Sequence, residues 1–267
     1  MNDPHVVALI YQIDHSDGID YSKAEPLTYA GDGFRLSVAD GSARFDLEDH
    51  FSTIEAADEA LTNFRAQWEF SAQLDRGPET FRLKLDRNAS EIIDRNPPPN
   101  AVYIRGIGVS LVTFSAKLQI GAPAYPSPTT SVALTPDVKT MFDRYMGYKK
   151  GQEPLAGMAN FCLTVLQYTN GPSRGSRSRA AKMYTIDRMV LDKIGELSAN
   201  CGGAEARKAV GLTREFTNEE KYFVEKAVKA LIWRMAEKAH SPDKQLSCIS
   251  FANLPPLTSG EGKPADR

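Results

Sequence analysis

The stretch GAPAYPSPTTSVALTP, residues 121–136, decides the fold because the hydrophobic pattern differs on its two sides. Before it, apolar residues alternate with a period of two, which is typical of strands. After it they recur at intervals of three and four, which is typical of amphipathic helices. The stretch itself holds four prolines, and neither a sheet interior nor a helix interior tolerates them. We therefore predict two domains, residues 1–122 and 136–240, joined by a Pro-rich linker at 123–135.

The segment before the linker begins with the pattern of a sheet. The run VVALIYQI at residues 6–13 is apolar and rich in β-branched side chains, which favours a buried strand. The stretch FRLSVADGSARFDLEDHF at residues 34–51 alternates apolar and polar residues on either side of Asp40-Gly41. Because this dipeptide suits a tight turn with positive φ, the stretch predicts a β-hairpin.

One long helix follows the hairpin. Ser52 and Glu55 have the spacing of a capping box, and apolar residues then recur at helical intervals to about residue 74. Trp68 lies on this apolar stripe, so we expect it to anchor the core rather than to serve as a platform for a ligand.

Two further strands are predicted beyond the helix, at residues 81–86 and 101–121. Between them lies SEIIDRNPPPN, whose three consecutive prolines exclude a regular ladder. Gly106 and Gly108 have a GxG spacing, but neither a third glycine nor a helix pattern follows, so we interpret them as a bulge or kink rather than a phosphate loop. The N-terminal domain is therefore predicted to be α+β, with an antiparallel or mixed sheet and one long helix.

The segment after the linker has the pattern of a helical bundle. The run at residues 153–171 is apolar nearly all round, which predicts a central buried helix. Residues 136–240 together predict an all-α bundle of about four helices, followed by a tail at 241–267 that we expect to be disordered. Helix starts are indicated by capping patterns at Thr135-Pro136, at Thr185 and at Thr217 with Glu220.

The net charge of −2 conceals an asymmetry. Residues 1–132 carry 11 Lys and Arg against 19 Asp and Glu, and residues 133–267 carry 21 against 15, so the two parts have net charges of −8 and +6. Two readings are open: the acidic and basic parts dock on each other, or the basic part faces a polyanion. We find neither a signal-peptide pattern nor an apolar run long enough to span a membrane, so we expect a cytoplasmic protein without a membrane partner.

Cysteine and histidine spacings do not indicate a metal or cofactor. Cys162, Cys201 and Cys248 are far apart in the sequence and form no CxxC or Cys/His ligand pattern. Cys162 falls inside the predicted central helix, where we expect it to pack as an inert apolar residue. His5, His15 and His50 are interpreted as surface histidines rather than metal ligands, and the sequence motifs of nucleotide, zinc and calcium sites are missing. We therefore expect no cofactor.

The first candidate site is the basic segment GPSRGSRSRAAKMY at residues 171–184. Glycine and serine surround its cations, so we predict a loop that leads into a helix. Such a loop either clamps a phosphate backbone or is simply solvated. The candidate binding residues are Arg174, Arg177, Arg179 and Lys182.

The second candidate site lies in KALIWRMAEKAH, residues 229–240, where Arg234 and His240 end an apolar helical run. A helical domain whose last helix carries Arg, then four to six residues, then His resembles the HEPN family, many of whose members are ribonucleases of toxin and defence systems. The resemblance implies a metal-independent RNA-cleaving pair, assembled at a homodimer interface, in which His240 takes a proton and Arg234 stabilises the phosphorane. The sequence departs from the family at Met235, where a polar residue is usual.

A regular helix would not bring this pair together. A six-residue step separates the two side chains by about 120° around the axis and about 9 Å along it, so they converge only if the helix unwinds before His240. We therefore favour a non-enzymatic binding or regulatory protein that contacts RNA, another polyanion or a protein partner through its basic half. The HEPN-like ribonuclease is the alternative, and an assembly role without nucleic acid is a third.

Overall fold

The computed structural model describes residues 3–16, 19–97, 124–168, 175–202 and 214–257. The chain divides into two compact units, Met1–Thr129 and Thr130–Arg267. This division falls within the segment expected to be a linker. Both ends of that segment take part in a unit: Tyr125 is buried in the N-terminal core, and the N–H of Ala133 donates to the carbonyl of Ala236.

The N-terminal unit is built on a five-stranded antiparallel sheet with the order β2-β3-β4-β1-β5. Its helix α1 (Ile54–Arg76) lies between β4 and β5 in the sequence. The structure thus confirms the α+β class and the antiparallel alternative. The strands are β1 (Pro4–Asp14), β2 (Leu27–Ala30), β3 (Phe34–Ala39), β4 (Ser42–Leu47) and β5 (Arg82–Asp94).

The hairpin of β3 and β4 is confirmed at its predicted turn. Asp40 has φ of 50° and Gly41 has φ of 73°, which is the pair of left-handed conformations that a two-residue hairpin needs to match the strand twist. Ala39 pairs with Ser42 directly across the turn. Alternate residues of the hairpin then face α1, whose Trp68 is fully buried, as predicted.

The N-cap of α1 is Thr53, so the capping box predicted from Ser52 is wrong by one residue. The Thr53 hydroxyl accepts the N–H of Ala56 at 3.2 Å, and its backbone is extended, as a cap requires. Both residues can cap a helix. Capping by Thr53 leaves Glu55 in the first turn, where its carboxylate interacts favourably with the helix dipole.

Strand β5 is longer than predicted, because it continues from the run 81–86 through Ile92 and Ile93 to Asp94. The exclusion of a ladder over residues 90–94 was therefore wrong, since the prolines follow the strand instead of interrupting it. Ile92 pairs with Val6, and Ile93 with His5. The predicted strand at 101–121, with Gly106 and Gly108, lies outside the described residues.

The C-terminal unit is helical, as predicted. Helix α3 contacts each of the other four and buries Met158, Ala159, Cys162 and Leu166, which confirms it as the central helix. The N-caps at Thr135 and Thr217 are confirmed, the second with both hydrogen bonds of its capping box. The helices are α2 (Pro136–Lys149), α3 (Leu155–Tyr168), α4 (Ser176–Tyr184), α5 (Arg188–Asn200) and α6 (Asn218–His240).

Two local predictions in this unit were wrong. Thr185 does not cap α5; it ends α4 with φ of 52°, and Asp187 caps α5 by accepting the N–H of Met189 at 2.9 Å. Residues 176–184 are helix α4 and not a loop, because Ala180, Ala181 and Tyr184 place a buried stripe on the bundle that outweighs the flexible composition.

The expectation of disorder from Ser241 onward does not hold as far as residue 257. Ile249 is buried and forms a parallel bridge with Ile186, and the ring of Phe251 lies parallel to that of Phe223 with centroids 5.5 Å apart. Phe251–Asn253 form a short 3₁₀ helix. Among the described helices, none combines the length and the apolar character needed to cross a bilayer.

Candidate functional site

Two cations of the first candidate site, Arg179 and Lys182, lie on the side of α4 that faces away from the bundle. Ser178, Arg179 and Lys182 are exposed, whereas Ala181 and Tyr184 are buried. Residues three and four apart share one face of a helix, so Arg179 and Lys182 project in similar directions. The exposed Met183 adjoins them. We name the set Ser178, Arg179, Lys182 and Met183 the α4 surface.

Arg177 has a different role from its neighbours. Its guanidinium donates to the carboxylate of Asp192 on α5 at 2.9 Å, and the same carboxylate pairs with Arg188 at 3.3 Å. Asp192 offsets part of the Arg177 charge, and the contact ties α4 to α5. Arg174 lies outside the described residues.

The backbone at the start of α4 adds to the positive character of this end. Gly175 precedes the helix in a left-handed conformation, with φ of 86°, and its N-cap position supplies no side-chain hydrogen bond. The first N–H groups of a helix carry partial positive charge when they lack a capping side chain. The N-terminal end of α4 therefore carries partial positive charge, whereas Lys182 lies in the last turn of the same helix.

Arg234, of the second candidate site, is buried and holds three backbone segments together. Its Nη1 donates to the carbonyls of Tyr184 and Thr185 at 2.8 and 3.0 Å, and its Nη2 donates to the carbonyl of Ser247 at 2.7 Å. Its Nε donates to Glu237 at 3.3 Å. The guanidinium thus joins α6 to the end of α4 and to the C-terminal segment, and only 5% of the residue is exposed.

The structure does not bring His240 to Arg234 within the chain. Helix α6 runs without interruption to His240, with Ser241 as its C-cap, so the unwinding that would let the two converge does not occur. His240 is exposed, and Arg234 is buried. The departure from the family pattern at Met235 also has a structural meaning, because this side chain is buried in the bundle.

The histidines of the N-terminal unit differ in environment from one another. His15 is half-buried and His50 exposed, but His5 is buried, so the prediction that all three lie at the surface was wrong for His5. His5 and His50 contact each other through Nδ1 atoms 3.2 Å apart. In the part of the chain that the structure describes, His, Cys, Asp and Glu do not group into a set of three that could hold a metal.

Two of the three cysteines have buried thiols. Cys162 and Cys201 are buried, and burial raises the pKa of the Cys162 thiol to about 12. A protonated thiol is a poor nucleophile and a poor metal ligand, which agrees with inert packing in α3. Burial also raises the pKa of Cys201, and Cys248 is exposed.

Two polar clusters could not be foreseen from sequence. The Tyr11 hydroxyl donates to Asp58 at 2.5 Å, and Arg65 pairs with the same carboxylate at 2.8 Å. In the helical unit, the Tyr148 hydroxyl donates to Glu225. Burial raises the pKa of both phenols, so each remains a hydrogen-bond donor at neutral pH and does not act as a base. Spacing gave no signal for either cluster, because the partners are 47 and 77 residues apart.

Comparisons with known proteins do not assign a family. No protein-family model matches the chain, and neither the curated proteins nor the solved structures include a significant match.

Proposed function

We propose that this is a non-enzymatic binding protein whose helical unit contacts a polyanion, with RNA as the candidate ligand, through the α4 surface. The observation that supports this proposal is the placement of Arg179 and Lys182, which stand exposed on one face of a short helix. Cations fixed on a helix are already positioned for a phosphate backbone. Binding through them therefore costs less conformational entropy than binding through a flexible loop would.

The charge distribution supports the same proposal. The chain has a net charge of −2, but residues 133–267 alone have a net charge of +6. Contacts with a polyanion depend on the local field, which is screened within about 10 Å at 0.1 M salt. A protein with a slightly negative total charge can therefore bind a polyanion through one basic face.

The contacts of Arg234 favour binding over cleavage. A catalytic arginine must offer its donors to the phosphorane, but three carbonyls and one carboxylate already accept from the Arg234 guanidinium. Releasing these donors would leave buried acceptors without partners, which costs free energy. These contacts support a structural role for Arg234.

The test is a salt titration of binding to single-stranded RNA with the full chain and two matched double variants. Arg179→Glu with Lys182→Glu changes the α4 surface. Lys139→Glu with Lys221→Glu introduces the same charge change at exposed positions of α2 and α6. We expect the α4 variant to lose at least about tenfold in affinity and the slope of log K against log salt to fall by about 1.4, since each lost phosphate contact removes about 0.7.

Three other results of the RNA-binding test would contradict the proposal. An equal loss in both double variants would show that total charge, and not the α4 surface, determines binding. An absence of binding to RNA and to heparin at low salt would contradict the proposal and favour an assembly role. If RNA is cut in the presence of EDTA and folded His240→Ala protein does not cut it, the ribonuclease alternative holds instead.

A further inference from the structure

His5 and His50 meet at one end of the sheet, through ring nitrogens that face each other. Their Nδ1 atoms are 3.2 Å apart, whereas the ring centroids are 5.1 Å apart with an angle of 20° between the planes. Both nitrogens therefore lie between the two ring centres. This is the geometry of an N–H···N hydrogen bond, in which one ring donates and the other accepts.

The neighbours of the pair determine which ring donates. Arg95 Nη2 lies 3.3 Å from His5 Nε2. Since a guanidinium is only a donor, His5 Nε2 must accept, and the proton of neutral His5 is on Nδ1. His5 then donates to Nδ1 of His50, whose own proton is on Nε2. That atom faces Asp3 Oδ1 at 3.7 Å, a distance suited to charge attraction rather than a direct hydrogen bond.

We propose that the His5–His50 contact is a pH-sensitive tie that holds the start of β1 against the connection between β4 and α1, and that acid opens it. Only one arrangement of protons satisfies both ring contacts, and it has two neutral imidazoles. A proton added to His5 Nε2 opposes the Arg95 donor but leaves the Nδ1–H of His5 donating to His50, so the tie opens only when His50 is charged as well. A proton added to His50 Nδ1 places two N–H groups head to head. This proposal does not depend on polyanion binding by the helical unit.

The tie acts on backbone contacts beside it. The N–H of Val6 donates to the carbonyl of Phe51 at 2.8 Å, which joins β1 to the connection that carries His50. On the other side of His5, Asp94 accepts the N–H of Asp3 at 3.0 Å, and the N–H of Arg95 donates to the carbonyl of Asp3 at 2.8 Å. If the two rings separate, we therefore expect the hydrogen bond between Val6 and Phe51 to weaken first.

The groups around His5 support a loss of stability in acid. Burial, Arg95 and then His50 lower the pKa of His5 below its usual 6.5, and Asp3 opposes them. The unfolded chain thus binds a proton on this residue at a higher pH than the folded chain does. Its contribution to stability is complete above about pH 6.5 and is lost as the pH falls from there through the folded-state pKa.

The experiment is an NMR titration of the full chain that records ring nitrogens and backbone amides between about pH 7.5 and about pH 5. At the upper pH we expect His5 to carry its proton on Nδ1 and His50 on Nε2. We expect His5 to titrate below 6.5 and the Val6 amide to shift once both rings are charged. His15 provides the internal control, because it belongs to neither contact.

Two variants then test the coupling. In His50→Asn the side-chain oxygen accepts from His5 but does not titrate, so the midpoint of His5 should rise, and the acid-induced fall in melting temperature should become shallower. His15→Asn should follow the wild type in both measurements. The proposal is overturned if wild-type His5 carries its proton on Nε2, or if both rings become charged while the Val6 amide does not respond.

Discussion

At the scale of single residues, Arg234 has the sequence spacing of a catalytic residue but makes the contacts of a structural one. Its position near the end of α6 matches the spacing of a ribonuclease pair, but its donors are used by backbone carbonyls that come from distant parts of the chain. Arginine suits such a place because its planar fork offers five N–H groups and keeps its charge when buried. The partners of a residue thus define its role better than its spacing in sequence does.

Removal of Arg234 should therefore damage folding, whereas removal of His240 should not. In Arg234→Ala, the carbonyls of Tyr184, Thr185 and Ser247 lose a charged donor, and we expect the free energy of unfolding to fall by about 3 kcal/mol. In His240→Ala, an exposed ring is lost, and we expect a change within about 0.5 kcal/mol. Urea denaturation followed by circular dichroism measures both. Equal stability of Arg234→Ala and wild type would contradict the structural role.

At the scale of elements, the β3–β4 turn needs a glycine at position 41, whereas helix α2 does not need one at position 147. Gly41 has φ of 73° and open space where a Cβ would project, so only backbone conformation restricts substitution there. Gly147 lies inside α2 without a positive φ, and an added Cβ would meet Glu153 at an ordinary 3.8 Å. The same substitution by alanine is thus strained in one element and favourable in the other.

We expect Gly41→Ala to lower the free energy of unfolding by about 1 kcal/mol, which is the usual cost of a left-handed conformation for a residue with a Cβ. Gly147→Ala should raise it by about 0.5 kcal/mol, since alanine reduces the entropy of the unfolded chain and suits a helix. Denaturant midpoints with unchanged slopes would show that stability alone has changed. A shift of the same sign in both variants would contradict the assigned conformations.

Elements whose signals are local could be predicted from sequence. The turn at Asp40-Gly41 and the capping box at Thr217 depend on residues within three or four positions, and both were found. The end of β5 was missed because its register with β1 depends on residues more than 80 positions away. Helix α4 was missed because glycine, serine and arginine suggest a loop, and only the bundle around Ala181 and Tyr184 makes the helix stable.

The candidate site was predictable in composition but not in geometry. The sequence identified the cluster of basic residues, and the fold separates Arg177, paired with Asp192, from the exposed Arg179 and Lys182. The contact between His5 and His50 had no signal in the sequence, because 45 residues separate the partners. Pairwise contacts of this kind depend on tertiary structure and not on spacing.

At the scale of the whole molecule, each unit is completed by a segment that the hydrophobic pattern does not mark. In the N-terminal unit, the indole N–H of Trp68 donates to the carbonyl of Pro126 at 2.8 Å, and the Tyr125 hydroxyl donates to the carbonyl of Tyr21 at 2.8 Å. In the helical unit, residues 247–251 have the corresponding role. Short segments without regular periodicity therefore contribute to both cores, and proline or serine content alone does not predict disorder.

The C-terminal segment gives the last prediction, because its contacts are few and specific. The carbonyl of Ile249 accepts the N–H of Asp187 at 2.8 Å, its N–H donates to the carbonyl of Thr185 at 3.1 Å, and its side chain is buried. We expect Ile249→Asp to lower the free energy of unfolding by about 3 kcal/mol, since it buries a carboxylate without a partner. Ala252→Asp adds the same charge at an exposed position of the same segment, and we expect a change within about 0.5 kcal/mol. If thermal unfolding shows both variants to be as stable as wild type, the segment does not belong to the core of the helical unit. If only Ile249→Asp is destabilised, α4 and α6 depend on a segment that composition alone predicts to be disordered.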